Sequence, residues 1–259
     1  MTSDATGSAR EFLSEPAVYD FFVDEESRLK REEDLLRKVA AASSADRSGV
    51  LDVACGTGIH AAFFARLGYR VVARDADPEM IAYARAKWEG SGGVRWAIHD
   101  MAETSREKFG LSLCLGNSLS MLPDEDALSR TMKAVAEQLD DGGRFLFQIL
   151  DYASLRADSH RLVYKPGEVN GRRIGVVKLL AASGDEIIAS FLTLERQDEE
   201  NGEVWACRST VSRLSAWEPD DMRKSIAAAG LRIEEEYSAF SGKPFAPGEG
   251  RDYIAVAGR

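Results

Sequence analysis

Two glycines that follow a short apolar segment give the chain its clearest chemical signal. Residues 49–54 have the composition of a buried strand, and Gly56 and Gly58 come directly after it, before a segment of helical composition. Because these two positions lack side chains, a ligand can lie against the main chain there, where the first N–H groups of a helix are free. The same composition also suits a tight strand–helix turn that binds nothing, so the interpretation needs support from other residues.

Two acidic residues supply that support. Asp75 ends the next predicted strand, and Asp100 follows the third. The carboxyl ends of parallel strands meet at one edge of a sheet, so we expect both acids to lie beside the glycine turn. Asp75 can accept hydrogen bonds from two ribose hydroxyls, whereas helix capping, its structural alternative, is better served by Asp77. For Asp100 the alternative is a solvated loop acid.

Two other nucleotide-binding motifs do not fit this turn. A phosphate-binding loop requires Lys followed by Ser or Thr after the glycines, and that pair is missing. A dinucleotide-binding turn favours a third glycine, which is also missing.

The elements that must position these residues alternate regularly between residues 49 and 150. Strands are predicted at residues 49–54, 69–74, 94–98, 111–115 and 144–150, and helices at 59–67, from 78 onward and at 124–139, with a turn at 141–143. This rhythm is typical of right-handed crossovers in a doubly wound, mostly parallel sheet. Upstream, residues 1–15 have the composition of a polar tail, and residues 19–42 that of one or two amphipathic helices.

The rhythm changes after Asp151. Apolar runs between residues 161 and 215 are separated by turn-rich stretches, which predicts an antiparallel meander. A helix at 218–229 and strands at 231–237 and 253–257 complete the chain. The predicted organisation is an N-terminal tail and helical cap (1–45), a ligand-binding core (46–155 and 216–259) and an inserted antiparallel lid (156–215).

Four segments of the core resemble the motifs of the class I S-adenosylmethionine-dependent methyltransferases. VLDVACGTG at 50–58 is similar to their first motif, VVARDADPEM at 71–80 to the second, HDM at 99–101 to the third-strand loop and LGNS at 115–118 to the fourth-strand motif. The similarity covers roughly residues 48–150 in the family's order. It implies an α/β fold with a doubly wound, mostly parallel seven-stranded Rossmann-like sheet, and an enzyme that converts S-adenosyl-L-methionine to S-adenosyl-L-homocysteine.

The resemblance also implies roles for individual residues. The methionine part of the cofactor would lie on the first motif, the ribose on Asp75 with Asp77 or Pro78 beside it, and the adenine on the acid and backbone after the third strand. For Tyr19, on the N-terminal helix, two roles stay open: closing over the cofactor, and packing as a half-buried aromatic. The complete predicted cofactor set is Asp52, Ala54, Gly56, Gly58, Asp75, Ala76, Asp100, Met101, Leu115 and Tyr19.

The segment LCLGNSLSMLPD at 113–124 is similar to the glycine and sarcosine N-methyltransferases, which implies an amine acceptor, Asn117 near the transferred methyl and an arginine on a substrate carboxylate. Tyr152 is a candidate to line the acceptor pocket, and a role as a half-buried packing aromatic explains it equally well. The sequence does not select the arginine, and the candidates are Arg28, Arg172, Arg173 and Arg208. Methyl transfer to a neutral amine mainly requires positioning, whereas a hydroxyl acceptor benefits from a base, for which His160 is the best candidate.

Two alternatives therefore stand beside the N-methyltransferase hypothesis. One is an O-methyltransferase that uses His160 as a general base, and the other is a module that binds S-adenosylmethionine without catalysis. His60 and His99 are more simply explained by structural or hydrogen-bonding roles than as bases.

Composition restricts the partners. A net charge of -10 with no basic stripe disfavours nucleic acid. No apolar run is long enough to cross a bilayer and no secretory signal is evident, so we expect a cytoplasmic protein that acts on a small molecule. The three cysteines and three histidines lack metal-ligand spacing, and no metal is predicted. The meander could also form an interface between copies of the chain.

Overall fold

A computed structural model describes residues 15–90, 92–183, 186–199 and 202–259. The predicted tail at residues 1–14 lies outside the described residues. Eight helices are described: α1 Pro16–Val23, α2 Glu25–Ala41, α3 Ala45–Ser48, α4 Ile59–Arg66, α5 Pro78–Lys87, α6 Glu125–Gln138, α7 Tyr152–Asp158 and α8 Pro219–Ala228, with a short 3₁₀ helix at Ser118–Met121.

Seven strands form the central sheet: β1 Val50–Asp52, β2 Val71–Asp75, β3 Val94–Ile98, β4 Phe109–Cys114, β5 Leu139–Leu150, β10 Arg232–Tyr237 and β11 Asp252–Gly258. Their order is β10-β11-β5-β4-β1-β2-β3. Strands β1 to β5 are parallel to one another, whereas β11 runs antiparallel to both β5 and β10. The predicted seven-stranded, mostly parallel sheet is confirmed.

The sheet separates two apolar layers. Phe109, Phe145 and Tyr253 belong to one layer, with residues of α6 and α8, while Leu111 and Leu146 belong to the other, with residues of α2 and α4. Strand β4 is buried along its whole length, as its nearly continuous apolar sequence requires at the centre of a sheet covered on both faces. This core holds the carboxyl ends of β1, β2 and β4 side by side.

A second sheet contains the four antiparallel strands β6 His160–Val169, β7 Arg172–Ser183, β8 Glu186–Glu199 and β9 Gly202–Leu214 in sequential order. It follows α7 and precedes α8, so the predicted meander before the last helix is confirmed. Ile174, Val176, Leu180 and Ile187 are buried on one face of this sheet. That inner face packs on α7 and α1.

Several short elements were not predicted. Helices α3 and α7 have four and seven residues, too few to produce a hydrophobic period. Asp151 caps the start of α7, and its side chain accepts a hydrogen bond from the N–H of Ala153. Strand β5 begins at Leu139, so the predicted turn at 141–143 lies within the strand's bounds, where the pairing with β4 shifts register.

Helices α1 and α2 form a cap on the central sheet. They are separated at Asp24, which has a left-handed backbone (φ 57°) and caps α2. The ammonium of Lys87, at the end of α5, contacts the carboxylates of Asp20 and Glu25. Because these contacts tie the cap to the core, residues of α1 and α2 reach the strand ends where the predicted site lies.

Candidate cofactor and acceptor site

The turn after β1 depends on the absence of two side chains. Gly56 and Gly58 both have positive φ, 53° and 85°. A Cβ on Gly58 would lie 2.5 Å from the ring of Trp96, whereas a Cβ on Gly56 would meet nothing closer than 3.9 Å, at Tyr19. Gly58 is therefore required by close packing, and Gly56 by its backbone conformation beside an open surface.

Asp75 joins the end of β2 to this turn. Its Oδ2 accepts the N–H of Gly56 at 2.8 Å, and its Oδ1 accepts the N–H of Asp77 at 3.0 Å. Burial raises the pKa of Asp75, against the effect of these N–H donors. Each carboxylate oxygen has two lone pairs, so both keep one acceptor position for a ligand hydroxyl. The adjacent Ala76 is exposed, and Asp77 caps α5 through Glu79.

Asp52 ends β1 with a buried and incompletely paired carboxylate. The residue is 1% exposed, and its Oδ2 has no hydrogen-bond partner among the described residues. Burial raises the pKa of Asp52 to about 6, with a further increase from the charge of Asp75 and opposing effects from His60 and Arg28. A buried anionic oxygen without a donor is costly, so this atom fits a ligand that brings a cationic or N–H group.

The residues after β3 are more open. Asp100 is exposed, and its Oδ1 accepts the N–H of Ala102 at 2.8 Å in a local turn. Met101 is half-buried against the apolar layer that contains Ala54. The imidazole Nδ1 of His99 lies 3.0 Å from the carbonyl of Asp100. The free Oδ2 of Asp100 and its exposure are compatible with both the adenine-binding and the solvated-loop interpretations.

The cap contributes a buried ionic chain. The Nε of Arg28 donates to Glu32 at 2.8 Å, and the other Glu32 oxygen lies 2.7 Å from the Nε2 of His60. Burial opposes ionisation of Glu32, but the hydrogen bond and charge of His60, followed by Arg28, lower its pKa to about 2. His60 therefore has a structural partner, in agreement with the role expected for it.

Arg28 and Tyr19 bring the cap to the strand ends. Both terminal nitrogens of Arg28 lie 3.5 Å from the position that a Cβ on Gly116 would take. Burial raises the pKa of Tyr19, with Arg28 acting against this shift and Asp75 adding to it. The two cap residues thus lie near the first-strand and fourth-strand motifs, with Leu115 buried beside them.

An amide network continues from Gly116 toward the meander. The Oε1 of Gln148 accepts the N–H groups of Gly116 and Asn117, at 2.8 and 3.1 Å, and its Nε2 donates to Asp252 at 2.8 Å. Asn117 donates from Nδ2 to the hydroxyl of Tyr152 at 3.1 Å. Its Oδ1 accepts the N–H of β5's last residue at 2.8 Å and the hydroxyl of Ser120 at 3.0 Å. Asn117 and Tyr152 are therefore in contact with each other.

The remaining predicted groups lie in different surroundings. His160 is exposed at the start of β6, with its Nδ1 3.1 Å from the hydroxyl of Ser159. Arg172 and Arg208 both contact the carboxylates of Glu15 and Glu195, and Arg173 is exposed. Arg28 is the candidate arginine for which the structure gives contacts at the strand-end edge.

Sequence reasoning missed Glu32, Gln148 and Asp252. Their partners are far away in sequence, so no local spacing identifies them. A buried Gln within the apolar strand β5 was the one visible signal, because an interior amide needs partners.

Two kinds of arrangement are absent from the described part of the chain. Among the residues that the structure describes, no group of three or more His, Cys, Asp or Glu side chains is arranged to hold a metal ion. In the same part of the chain, no helix combines the length and apolarity needed to cross a membrane.

Comparison with known proteins identifies the motif-bearing region. A family model described as "Methyltransferase domain" matches residues 50–143. Mouse glycine N-methyltransferase is 29% identical over 118 residues, which are 40% of each chain. Glycine/sarcosine N-methyltransferase of Halorhodospira halochloris is 27% identical over 161 residues, 58% of each chain. The ubiquinone biosynthesis O-methyltransferase of Xanthomonas oryzae pv. oryzae is 34% identical over 106 residues, 39% of this chain and 43% of the relative.

The chain therefore spans between two fifths and three fifths of the length of these relatives. A solved structure, an S-adenosylmethionine-dependent methyltransferase from Clostridium acetobutylicum, aligns with a TM-score of 0.75 at 20% identity over 93% of this chain and 95% of that one. At this identity the likeness concerns the fold, and it includes the meander as well as the central sheet.

Proposed function

We propose that this chain, which has the methyltransferase domain and fold of the class I S-adenosylmethionine-dependent methyltransferases, transfers a methyl group to the amine of a small molecule. When bound, S-adenosylmethionine supplies an activated methyl on a sulfonium. The chain's own residues bind the cofactor, hold the acceptor in line and exclude water. The observation that carries the proposal is the buried Asp52 oxygen, which has no hydrogen-bond partner among the described residues, on the strand that leads into the open turn at Gly56.

The residues at the strand ends fit this cofactor chemically. Asp52 offers a carboxylate to the cationic end of the amino-acid part, and Asp75 offers two spare acceptor positions to a ribose diol. Exposed Asp100 remains available to an adenine amino group. Tyr19 and Arg28 extend from the cap over the same edge, which supports its exclusion of solvent.

Two observations favour an amine acceptor: two of the matched relatives are N-methyltransferases, and the surroundings of Asn117 suit an amine. A glycine N-methyltransferase and a glycine/sarcosine N-methyltransferase match the chain over 118 and 161 residues. Asn117 and Tyr152 form a neutral, hydrogen-bonded pair at the end of this motif. Such a pair can position a neutral amine without itself gaining or losing a proton. The matched O-methyltransferase keeps the oxygen alternative open, because the cofactor half is shared.

Binding of S-adenosylhomocysteine to the full chain, measured by calorimetry, tests the cofactor site. Asp75→Ala should weaken binding more than tenfold, or by more than ~1.4 kcal/mol, because two ribose hydrogen bonds are removed. Asp124→Ala is the matched control, since that exposed side chain caps α6 and belongs to none of the predicted cofactor contacts, and it should bind within about threefold of the native chain. No binding by the well-folded native chain would contradict the proposal.

Turnover then distinguishes the three hypotheses. With a radiolabelled methyl donor, glycine and sarcosine are the first probe acceptors, and phenolic hydroxyl compounds the second. Incorporation into amines alone supports N-methylation. Transfer to hydroxyls, lost in His160→Gln, would instead support the O-methyltransferase alternative. Cofactor binding without transfer to either class would favour the non-catalytic module.

We also propose that two copies of the chain associate through the outer face of the meander. Leu162 and Tyr164 on β6 lie on this face with Trp205 and Val211 on β9, and each is 49–59% exposed. An apolar face that spans all four strands is unusual for a surface in contact with water alone. A second copy would present the same apolar residues to this face.

A further inference from the structure

Among the residues that the structure describes, a lysine on the inner face of the meander forms no ion pair. Lys178 lies in β7, opposite Val163 of β6 and Phe191 of β8. Its Nζ is 5.3 Å from the centroid of the Phe191 ring. Among the described residues, no carboxylate forms an ion pair with this Nζ and no acceptor atom receives a hydrogen bond from it. A half-buried ammonium in such surroundings is unusual, because buried charges are normally paired.

The charged groups around Lys178 come from three other elements. Burial lowers its pKa to about 8, the charges of Arg28 on α2 and Arg161 on β6 add to the effect, and Asp252 on β11 opposes it. Both arginines already have partners: Arg28 donates to Glu32, and Arg161 donates to Ser154 at 3.2 Å. The surroundings therefore raise the fraction of Lys178 that is neutral, compared with an exposed lysine.

The same neighbours connect Lys178 to the acceptor end of the site. Arg28 lies over Gly116, in the fourth-strand motif. Asp252 accepts a hydrogen bond from Gln148, which in turn holds the N–H groups of Gly116 and Asn117. Contacts give the same link: the Phe191 ring beside Lys178 Nζ packs against the apolar cluster of Tyr152, whose hydroxyl accepts a hydrogen bond from Asn117. Lys178 thus lies on the face of the meander that packs toward Asn117, the residue predicted to lie near the transferred methyl.

We infer that Lys178 is the proton-accepting residue that converts the acceptor's ammonium into the free amine. The inference rests on the proposed N-methylation. In this step the lone pair of Lys178 Nζ takes one N–H proton of the acceptor, and the electrons of that bond remain on the acceptor nitrogen as the lone pair that is methylated. Lys178 becomes an ammonium and later releases the proton to water. No oxidant or further reactant is needed.

The cationic surroundings make this step favourable in two ways. The guanidinium groups of Arg28 and Arg161 disfavour a third positive charge on Lys178 before the acceptor binds. They also disfavour an ammonium on a bound acceptor, so the acceptor's proton is more easily lost within the site than in water. A residue that accepts a proton must spend part of its time neutral at working pH, and an ordinary lysine, with a pKa of ~10.4, does so rarely.

The first test is independent of turnover. Competitive acetylation of the full chain with trace acetic anhydride, followed by peptide mass spectrometry across a pH series, reports the titration of each lysine. Lys178 should become reactive around pH 8, about two pH units before an ordinary exposed lysine. A titration of Lys178 near pH 10 would overturn the inference even if the chain is an active N-methyltransferase.

The second test separates proton transfer from a fixed positive charge. Lys178→Met removes the base, and Lys178→Arg keeps the charge but cannot become neutral near pH 7. With glycine and sarcosine as probes, both variants should transfer methyl about a hundredfold more slowly at pH 7.5. Lys178→Met should recover most of the rate above about pH 10, where water removes the acceptor's proton. Full activity of Lys178→Arg would overturn the inference and assign Lys178 to binding an acidic group of the acceptor.

Lys165→Met is the matched control. Lys165 lies on the same inner face, one strand away, but its Nζ donates to the carbonyl of Phe21 at 2.6 Å. Its substitution should leave the shape of the pH–rate profile unchanged. Binding of S-adenosylhomocysteine should be kept in all three variants, so its absence from the native chain would indicate failure of the proposed function rather than of the role of Lys178.

Discussion

The strand-end edge of the central sheet and the inner face of the meander differ in whether the main chain or single side chains form the predicted site. At the edge, the main chain and a few short acids form the predicted binding surface, as the contact between Asp75 and the N–H of Gly56 illustrates. On the meander, regular antiparallel strands hold single side chains such as Lys178, to which we assign the proposed proton transfer. Ligand binding at the edge would therefore depend mainly on backbone conformation. On the meander, a substitution of one side chain would be enough to change which acceptor binds.

This difference explains why the functional residues of the edge are easier to predict from the sequence than those of the meander. Backbone requirements restrict residue type strongly, because few residues replace glycine at positive φ. A β-strand, by contrast, accepts many side chains at an inward position without any change in its backbone. Substitutions at the edge should therefore alter folding and cofactor binding together, whereas those on the meander should alter the acceptor reaction or association alone.

The largest effect is expected at Gly58. Gly58→Ala forces a Cβ to within 2.5 Å of the Trp96 ring at φ 85°, so the ring must move and the strained backbone remains. We expect a loss of about 3 kcal/mol in the free energy of unfolding, measured with urea, together with loss of S-adenosylhomocysteine binding.

Gly56→Ala is the matched comparison within the same turn. Its Cβ would meet nothing closer than 3.9 Å, so only the cost of positive φ applies, about 1 kcal/mol. Equal losses for the two variants would contradict the distinction between close packing at Gly58 and backbone conformation at Gly56.

At Asp52 we expect one substitution to change stability and cofactor binding in opposite directions. The pKa of Asp52 is raised from 3.8 to about 6 by burial. A carboxyl whose pKa is raised in the folded state destabilises the fold as pH rises from about 4 through 6. Because the shift is about two pH units, Asp52→Asn should be more stable than the native chain by up to roughly 3 kcal/mol at pH 8.

The pH dependence provides the check on that prediction. Below pH 4 the native Asp52 is protonated in both the folded and unfolded chains, so the stability gain of Asp52→Asn should vanish there. The variant should also bind S-adenosylhomocysteine at least tenfold more weakly, because the cationic end of the ligand loses its counter-charge. A variant that is less stable than the native chain at pH 8 would contradict the cost assigned to the unpaired carboxylate.

Much of the fold was predictable, and the reason lies in individual segments. Asp77 and Pro78 begin α5 and Asp124 begins α6, as expected from their capping chemistry. Strand β3 has the predicted bounds, 94–98. Short elements escaped prediction, because α7 contains too few residues for a period and is stabilised by its contacts with β6 and β7.

The predictability of the site follows the same division. Gly56, Asp75 and Asn117 were identifiable because each belongs to a short motif at a strand end. Glu32 and Lys178 were not, since the partners that make them significant lie on other elements, and no local pattern records such contacts. The ribose, adenine and acceptor roles remain predictions until ligands are bound.

The smallest effect on stability is expected on the outer face of the meander. Trp205 is 49% exposed, so Trp205→Ser should change the free energy of unfolding of a single chain by no more than about 0.5 kcal/mol. If copies associate through this face, the substitution should weaken association at least tenfold, measured by light scattering over a concentration series. Val204→Ser is the matched control, because Val204 is 43% exposed but its side chain lies on the opposite face. A native chain that stays monomeric at all concentrations would contradict the proposed association through the outer face.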